Sequence, residues 1–316
     1  YFKLTGSYRN IILSADYRFY SKDFGGLMLK YGWIGYQFNE KNQLQVGLTG
    51  VPFGIQPVAS HNFFLQIAYY VGLEDDSDMG IKYLHTGDRW DYAFAFFKNA
   101  DELLFGSDDE TSDDRYGYDV AGRNKEINQF NGQAFYKFGE RSRQRLGASA
   151  EFGQLYNLDT RNNGTRYAFA LHYELPWNRV SLKAQAATYA MHPKNAADDD
   201  DEVVSMTAYG APYLVAAKAN LYMLSAGYTF PVNRKLLKSV QVYNDFGCLD
   251  KQNNDFKNSY QNVTGCMLDC SPVLVYVDYA MGKNHGWLDP DWNSFGTGGE
   301  SNSWHARFNV NVGYYF

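Results

Sequence analysis

The last ten residues of the chain, RFNVNVGYYF from Arg307 to Phe316, alternate strictly. Phe308, Val310, Val312, Tyr314 and Phe316 share one parity and are all apolar. Arg307, Asn309, Asn311, Gly313 and Tyr315 share the other and are mostly polar. A period of two describes a strand whose faces meet unlike surroundings. The pattern recurs. In WDYAFAFF, Trp90, Tyr92, Phe94 and Phe96 oppose Asp91, Ala93 and Ala95. In INQFNGQAFYKF, Phe130, Ala134, Tyr136 and Phe138 oppose Gln129, Asn131, Gln133 and Lys137. NQLQVGLTG from Asn42, RLGASAEFG from Arg145, RYAFALHYEL from Arg166, VSLKAQAA from Val180 and VLVYVDYA from Val273 repeat it.

The chain is 17% aromatic, with Tyr 27 and Phe 22, yet its mean hydropathy is -0.47. No stretch approaches the run of about 18 apolar residues that a membrane helix needs. The polar parity is rich in Gln, Asn, Ser, Gly and Thr rather than Lys, unlike the wet face of a soluble sandwich. The apolar parity ends in aromatics near the turns, at Phe38, Trp90, Phe138, Tyr173, Phe230 and Tyr314, the girdle of a membrane interface. Connections alternate between short ones, such as NEKN from Asn39 and PWNR from Pro176, and long polar ones near 52–78, 99–126, 193–216, 250–260 and 284–303. This predicts an all-β chain forming a closed antiparallel transmembrane β-barrel, a single domain over 1–316. Short turns face the periplasm and long loops the exterior. A closed barrel satisfies every backbone group in lipid, which an open sheet does not. The count gives about 14 strands, starting near residues 4, 26, 43, 79, 90, 127, 145, 166, 180, 217, 238, 260, 273 and 304. Both termini then lie at the periplasmic end. Sixteen strands follow if 52–78 hides a hairpin or residues before Tyr1 are missing. The chain starts without Met or a charged-then-apolar leader and reads as a mature or trimmed chain.

Four stretches resemble the phosphate-selective porin O/P family and its general-porin relatives: GLMLKYGWIGYQFN from Gly26, VGLEDDSDMGIKY from Val71, FFKNAD from Phe96 and WHARFNVNVGYYF from Trp304. The resemblance implies a homotrimeric channel whose third extracellular loop folds into the lumen. It also implies an assembly signal in the terminal aromatic Phe316, and a bacterial outer-membrane location. Family members selective for phosphate line the pore with many Arg and Lys. Here the lumen-lining candidates by parity are balanced: Lys30, Lys82, Lys183 and Arg307 against Asp91, Glu151, Glu174 and Asp278, with His172 among them.

The 99–126 connection is the candidate constriction. It carries Asp101, Glu102, Asp108, Asp109, Asp113 and Asp114, then Arg115, Arg123 and Lys125, and opposed charges across a narrow pore orient polar solutes. Three acidic clusters, Glu74–Asp78, Ser107–Asp114 and Asp198–Glu202, read as solvated loop tips, as a vestibule that enriches cations, or as sites for Ca²⁺ or Mg²⁺; without EF-hand spacing they define no metal site. Catalysis lacks support. His172 and Glu174 share a face, with Glu151 on the next strand, but no nucleophile and oxyanion site accompany them. Cys266 and Cys270 lie about 13 Å apart on an extended strand and do not bridge, whereas a cross-strand Cys248–Cys266 pair stays open. Net charge of -6 argues against nucleic acid. The expected function is passive diffusion of small hydrophilic solutes or ions through a loop-constricted pore with weak cation preference. The alternatives are an anion-selective, phosphate-type porin, or a structural or receptor barrel with a plugged lumen. No cofactor is implied. The partners are the permeating solutes, outer-membrane lipid and lipopolysaccharide.

Overall fold

The computed structural model describes residues 1–100, 115–139, 144–197, 199–232 and 234–315. Its strands are β1 (Phe2–Tyr8), β2 (Ile11–Phe19), β3 (Leu27–Asn39), β4 (Asn42–Gly50), β5 (Ser77–Thr86), β6 (Trp90–Asn99), β7 (Asp119–Val120), β8 (Asn124–Phe138) and β9 (Gln144–Asn157). They continue as β10 (Asn163–Trp177), β11 (Val180–His192), β12 (Val203–Thr207), β13 (Tyr213–Ala216), β14 (Lys218–Pro231), β15 (Ser239–Lys251), β16 (Ser259–Cys270), β17 (Val273–Lys283) and β18 (Trp304–Tyr314). Fifteen form one antiparallel meander in chain order; β7, β12 and β13 form a separate small sheet.

The meander is rolled. Arg18 on β2 and Arg307 on β18 line one cavity of about 740 Å³. The two strands are thirteen places apart in the sheet order, which in a flat sheet would separate them by about 60 Å at ~4.8 Å per strand. Phe24, after β2, and Trp287, after β17, also meet edge-on at 6.5 Å. Among the described residues, no hydrogen-bonded ladder joins β1 to β18, so the structure is a rolled sheet rather than the closed barrel expected.

The expected count falls one short. The strand read from residue 4 is a hairpin, β1 and β2, reversed at Arg9, whose φ of 54° lies in the left-handed region. The two-residue turn is Arg9–Asn10, and its lone Asn is a weak turn signal beside the Asn-Gly or Asp-Gly pairs that usually mark such hairpins. With fifteen strands the chain enters at the long-loop end and leaves at the short-turn end, so the termini lie at opposite ends. The 52–78 segment hides no hairpin: its only regular element is a single 3₁₀ turn at Tyr69–Val71. Phe316 lies outside the described residues.

The faces are inverted relative to a soluble protein. Phe94, Phe130, Phe169 and Val310 are among many exposed apolar side chains on the outer face. Their polar neighbours Gln129, Asn131, Ser149, Gln185 and Asp278 are buried inside. Parity assigned each of these correctly. The small sheet braces the loop end, where β7 from the 100–123 connection pairs with β12 from the 193–217 connection. Buried Tyr69, Tyr118, Tyr213, Met206 and Phe295 pack around it. The three cysteines are free. Cys266 stands opposite Val242 and Cys248 opposite Tyr260, a register offset of six residues or about 20 Å, which rules out the cross-strand disulfide.

Candidate functional site

What fills the interior is the connection between β4 and β5. Its stretch VPFGIQPVASHNFFLQIAYYVGL, from Val51 to Leu73, carries no Asp, Glu, Lys or Arg, which is unusual for a segment meant for water. Inside the rolled sheet its backbone groups need partners, and the inner faces of six strands supply them. The Gly54 N–H donates to Ser149 Oγ of β9 (3.1 Å) and its carbonyl accepts from Gln133 of β8 (2.8 Å). Gly54 (φ 61°) lies so close to β11 that an added Cβ would stand 2.7 Å from Gln185 Oε1. The Ile55 N–H donates to that Gln185 oxygen (2.8 Å). Lys183 Nζ of β11 donates to the carbonyls of Val58 (2.9 Å) and Ser60 (3.0 Å).

Farther along, Asp245 of β15 holds the tip. Its Oδ2 accepts the N–H groups of His61 (2.8 Å) and Asn62 (3.0 Å) and the Asn62 side-chain amide (2.7 Å). Its Oδ1 lies 2.9 Å from His61 Nδ1, while His61 Nε2 lies 2.9 Å from Ser181 Oγ. Gln66 then reaches Ser225 of β14 (2.8 Å), and Gln261 of β16 donates to the Leu65 carbonyl (3.0 Å). Glu74, buried where the segment returns to β5, accepts the Ala59 N–H at 3.0 Å. Burial pushes its carboxyl up to about 8, against the lowering effect of that hydrogen bond.

Three of the residues expected to form the constriction are among the described residues. Asp101, Glu102, Asp108, Asp109, Asp113 and Asp114 lie outside the described residues. Arg115 is buried and bonded to Asp119 (3.2 Å), Arg123 pairs with Asp159 at the surface (2.6 Å), and Lys125 is half-buried on β8. None of these three lines the cavity, although their neighbours Tyr116 and Tyr118 do. Of the lumen candidates, Lys30 pairs with Asp75 (2.6 Å), Asp91 with Lys137 (2.8 Å) and Glu174 with Arg145 (3.0 Å). Lys82 donates to the Gly50 carbonyl (2.5 Å), and Asp278 accepts from Tyr243 (2.6 Å). Among the described residues His172 meets no acid: its cross-strand neighbours are Gly147 and Gln185, and its Nε2 lies 2.9 Å from Ser149 Oγ. Glu151 is bound instead to Arg166 (2.7 Å) and Asn131 (3.0 Å).

The acidic clusters also separate. Asp199, Asp200, Asp201 and Glu202 are exposed, as loop tips should be. Glu74, Asp76 and Asp78 are buried, which corrects their reading as a solvated tip. Oxygens of Asp76, Asp78 and Asp119 lie within 4.8 Å of one another, and two guanidiniums serve this region. Arg115 bonds Asp119, and Arg166 joins Glu126 and Glu151. Parity could have found Arg166 and Asp245. Their partners come from distant segments, and the sequence does not mark those.

The 740 Å³ cavity lies between the inward segment and the inner faces of β2, β11, β15, β17 and β18. It runs from Phe24 and Trp287 at the loop end to Gln241 and Tyr315 near the turn end. Arg307 and Tyr315 alone are eight residues apart on one strand path, about 26 Å, so the cavity follows most of the height of the sheet. Its charged lining is Arg18, Asp75, Lys183 and Arg307, with His61. Arg18 is matched by Asp16 (2.8 Å) and Asp75 by Lys30. Among the described residues, neither Lys183 nor Arg307 has an ion pair.

No protein-family model matches the chain, and no curated protein does. Solved structures do. The outer membrane channel DcaP of Acinetobacter baumannii superposes with a TM-score of 0.58 at 12% identity, over 98% of this chain and 82% of that one. An anion-selective porin from Comamonas acidovorans gives 0.57 at 13%, over 86% and 74%. OmpT of Vibrio cholerae in its trimer form gives 0.58 at 11%, over 97% and 87%. The fold is that of an outer-membrane channel. At these identities the likeness is one of backbone path, and the side chains that line the interior are this chain's own.

Proposed function

We propose that this protein is an outer-membrane porin through which small hydrophilic solutes diffuse passively, and that its passage prefers anions. The cavity that follows the height of the rolled sheet, with Lys183 and Arg307 in its wall and without an ion pair among the described residues, carries this reading. Charges at a constriction outweigh charges at the mouth, because little water remains there to screen them. The weak cation preference expected from the sequence rested on carboxylates at 101–114, outside the described residues, and on treating 99–126 as the constriction. The segment 51–76 supports that role better, since it fills the interior. The trimeric form of the Vibrio protein supports a homotrimer, with lipid and lipopolysaccharide around the exposed outer face. A passive channel needs neither a cofactor nor catalytic groups.

The zero-current potential across a KCl gradient tests the preference. Chloride is expected to carry most of the current; a potential of the opposite sign restores the cation reading. Membrane placement has its own test. Val310, on the outer face near the middle of β18 and 53% exposed, is expected to lose about 2–4 kcal/mol of folding stability in lipid as Val310→Arg, the cost of arginine at the bilayer midplane. Urea unfolding in vesicles measures it, and wild-type stability would remove Val310 from the lipid-facing band.

A further inference from the structure

The geometry points to a calcium site at the loop end of the rolled sheet, built from the carboxylates of Asp76, Asp78 and Asp119 and the hydroxyl of Thr207. None of these residues lines the cavity, and the inference does not depend on the channel reading. Oxygens of the three carboxylates lie within 4.8 Å of one another, and two ligands of one Ca²⁺ at ~2.4 Å stand at most about 4.8 Å apart. All three aspartates are buried, so water does little to weaken their mutual repulsion.

The neighbouring arginines answer only part of this charge. Asp76, Asp78, Asp119, Glu126 and Glu151 are buried together with Arg115 and Arg166. Arg115 bonds Asp119, and Arg166 bonds Glu126 and Glu151 while standing in the field of the three aspartates. Among the described residues, five carboxylates against two guanidiniums leave an excess of three negative charges. Lys82, whose Nζ donates to the nearby Gly50 carbonyl, reduces the excess to two, the charge that a divalent cation offsets.

The independent sign of a ligand is Thr207. It stands directly across from Asp119 in the β7–β12 ladder, and residues paired in register project to the same face of a sheet. The adjacent pair, Met206 and Val120, lies in the buried apolar cluster on the other face, as alternation requires. Thr207 is 0% exposed, yet its Oγ1 has no hydrogen-bond partner among the described residues. A buried hydroxyl is costly unless it meets a partner, and a cation held by the aspartates is one. Gln129 repeats the sign: its side-chain amide donates to Asp78 Oδ2 (3.2 Å), and its buried Oε1 has no partner. Carboxylate, hydroxyl and amide oxygens in an irregular set suit Ca²⁺. Mg²⁺ needs a near-ideal octahedron and keeps several waters.

The site sits where two connections meet. Asp76 closes the neck of the inward segment, its carbonyl accepting the Val51 N–H (2.9 Å). An added Cβ at Gly117 would stand 2.6 Å from Asp76 Oδ1, so the chain entering β7 runs directly over that carboxylate. Calcium bound here ties the neck of the inward segment to the small sheet.

Thermal unfolding of the full chain, refolded in detergent without lipopolysaccharide, tests this in millimolar CaCl₂, in MgCl₂ at the same concentration and in EGTA. Calcium is expected to raise the midpoint by about 3–6 °C over EGTA, as millimolar ligand does for a site of submillimolar affinity. Magnesium is expected to raise it by less than half as much. Asp119→Asn is expected to weaken calcium binding at least about tenfold. Thr207→Val keeps the shape and removes the oxygen. It is expected to raise the midpoint in EGTA, because an unmet hydroxyl is gone, and to shrink the calcium shift. A Thr207 that only packs would leave that shift at its wild-type size. Equal midpoints in calcium and EGTA, an equal shift from magnesium, or a wild-type calcium shift in either variant overturns the inference. Should Asp119→Asn fail to fold, Thr207→Val decides. A shift that survives both variants and disappears in the triple variant Asp199→Asn, Asp200→Asn, Asp201→Asn places calcium at the exposed loop tip instead.

Discussion

Replacing residues 53–71 with a short Gly-Ser turn is expected to raise open-channel conductance at least about threefold. Fifteen strands spaced ~4.8 Å apart and tilted by about 40° enclose a backbone ring roughly 30 Å across. Walls of that size leave an aqueous lumen unless something fills it. The filler here is the β4–β5 connection, bonded to β8, β9, β11, β14, β15 and β16 through Gly54, Ile55, Val58–Asn62, Leu65 and Gln66. What it leaves is the 740 Å³ cavity, whose mean cross-section over about 20 Å of height, once the strand tilt is allowed for, is a few tens of Å², far less than the empty ring would offer. The truncated channel should also lose most of its ion preference, because Lys183 and Arg307 would then face a wide aqueous lumen. Single-channel recording measures both. Unchanged conductance would mean that another segment sets the narrowest point, and residues 101–114 would be the first to examine.

Arg166→Met is expected to destabilise the folded protein by about 3–5 kcal/mol, the usual cost of removing one partner from a buried ion pair. Arg166 is 7% exposed on β10. It lies against Glu151 of β9 at 2.7 Å and against Glu126 of β8. Asn131 also donates to Glu151, and Glu126 accepts the Val120 N–H at 2.9 Å. Methionine would leave two carboxylates in the interior without a cation, close to Asp76, Asp78 and Asp119. The triple variant Arg166→Met, Glu126→Gln, Glu151→Gln should recover most of the loss, since it removes the stranded charges along with their partner. Urea unfolding midpoints in detergent or vesicles read both. A loss under about 1 kcal/mol for the single variant would show that the carboxylates reach water or are held neutral.

Much of this architecture was written in a period of two. Phe94, Phe130, Phe169 and Val310 face outward and Gln129, Ser149, Gln185 and Asp278 inward, as alternation said, because a strand has only two sides. One strand was lost where the chain reversed at Arg9–Asn10, a turn signalled by a single Asn and no Gly. Parity assigned Asp91, Glu174 and Lys183 to the polar face, and each is bonded to a partner.

Parity assigns a face, however, and does not assign a partner. Nothing near His172 in the sequence shows that Ser149 rather than an acid will meet it. Nothing near Asp245 shows that four groups of residues 61 and 62 will converge on its carboxylate. Both outcomes depend on how far the sheet rolls and which connection turns inward. The sequence held one clue to that second choice: the run from Val51 to Leu73 has no Asp, Glu, Lys or Arg, whereas 99–126 is dense in charge. An uncharged run can enter the interior because its desolvation cost is confined to backbone and neutral polar groups, which Gln133, Ser149, Gln185 and Asp245 then satisfy. The sequence by itself therefore determined a sheet with an apolar outside and a polar inside. Only the tertiary structure decided that the inside would be filled from β4–β5, because rolling a sheet brings together strands that are far apart in the chain.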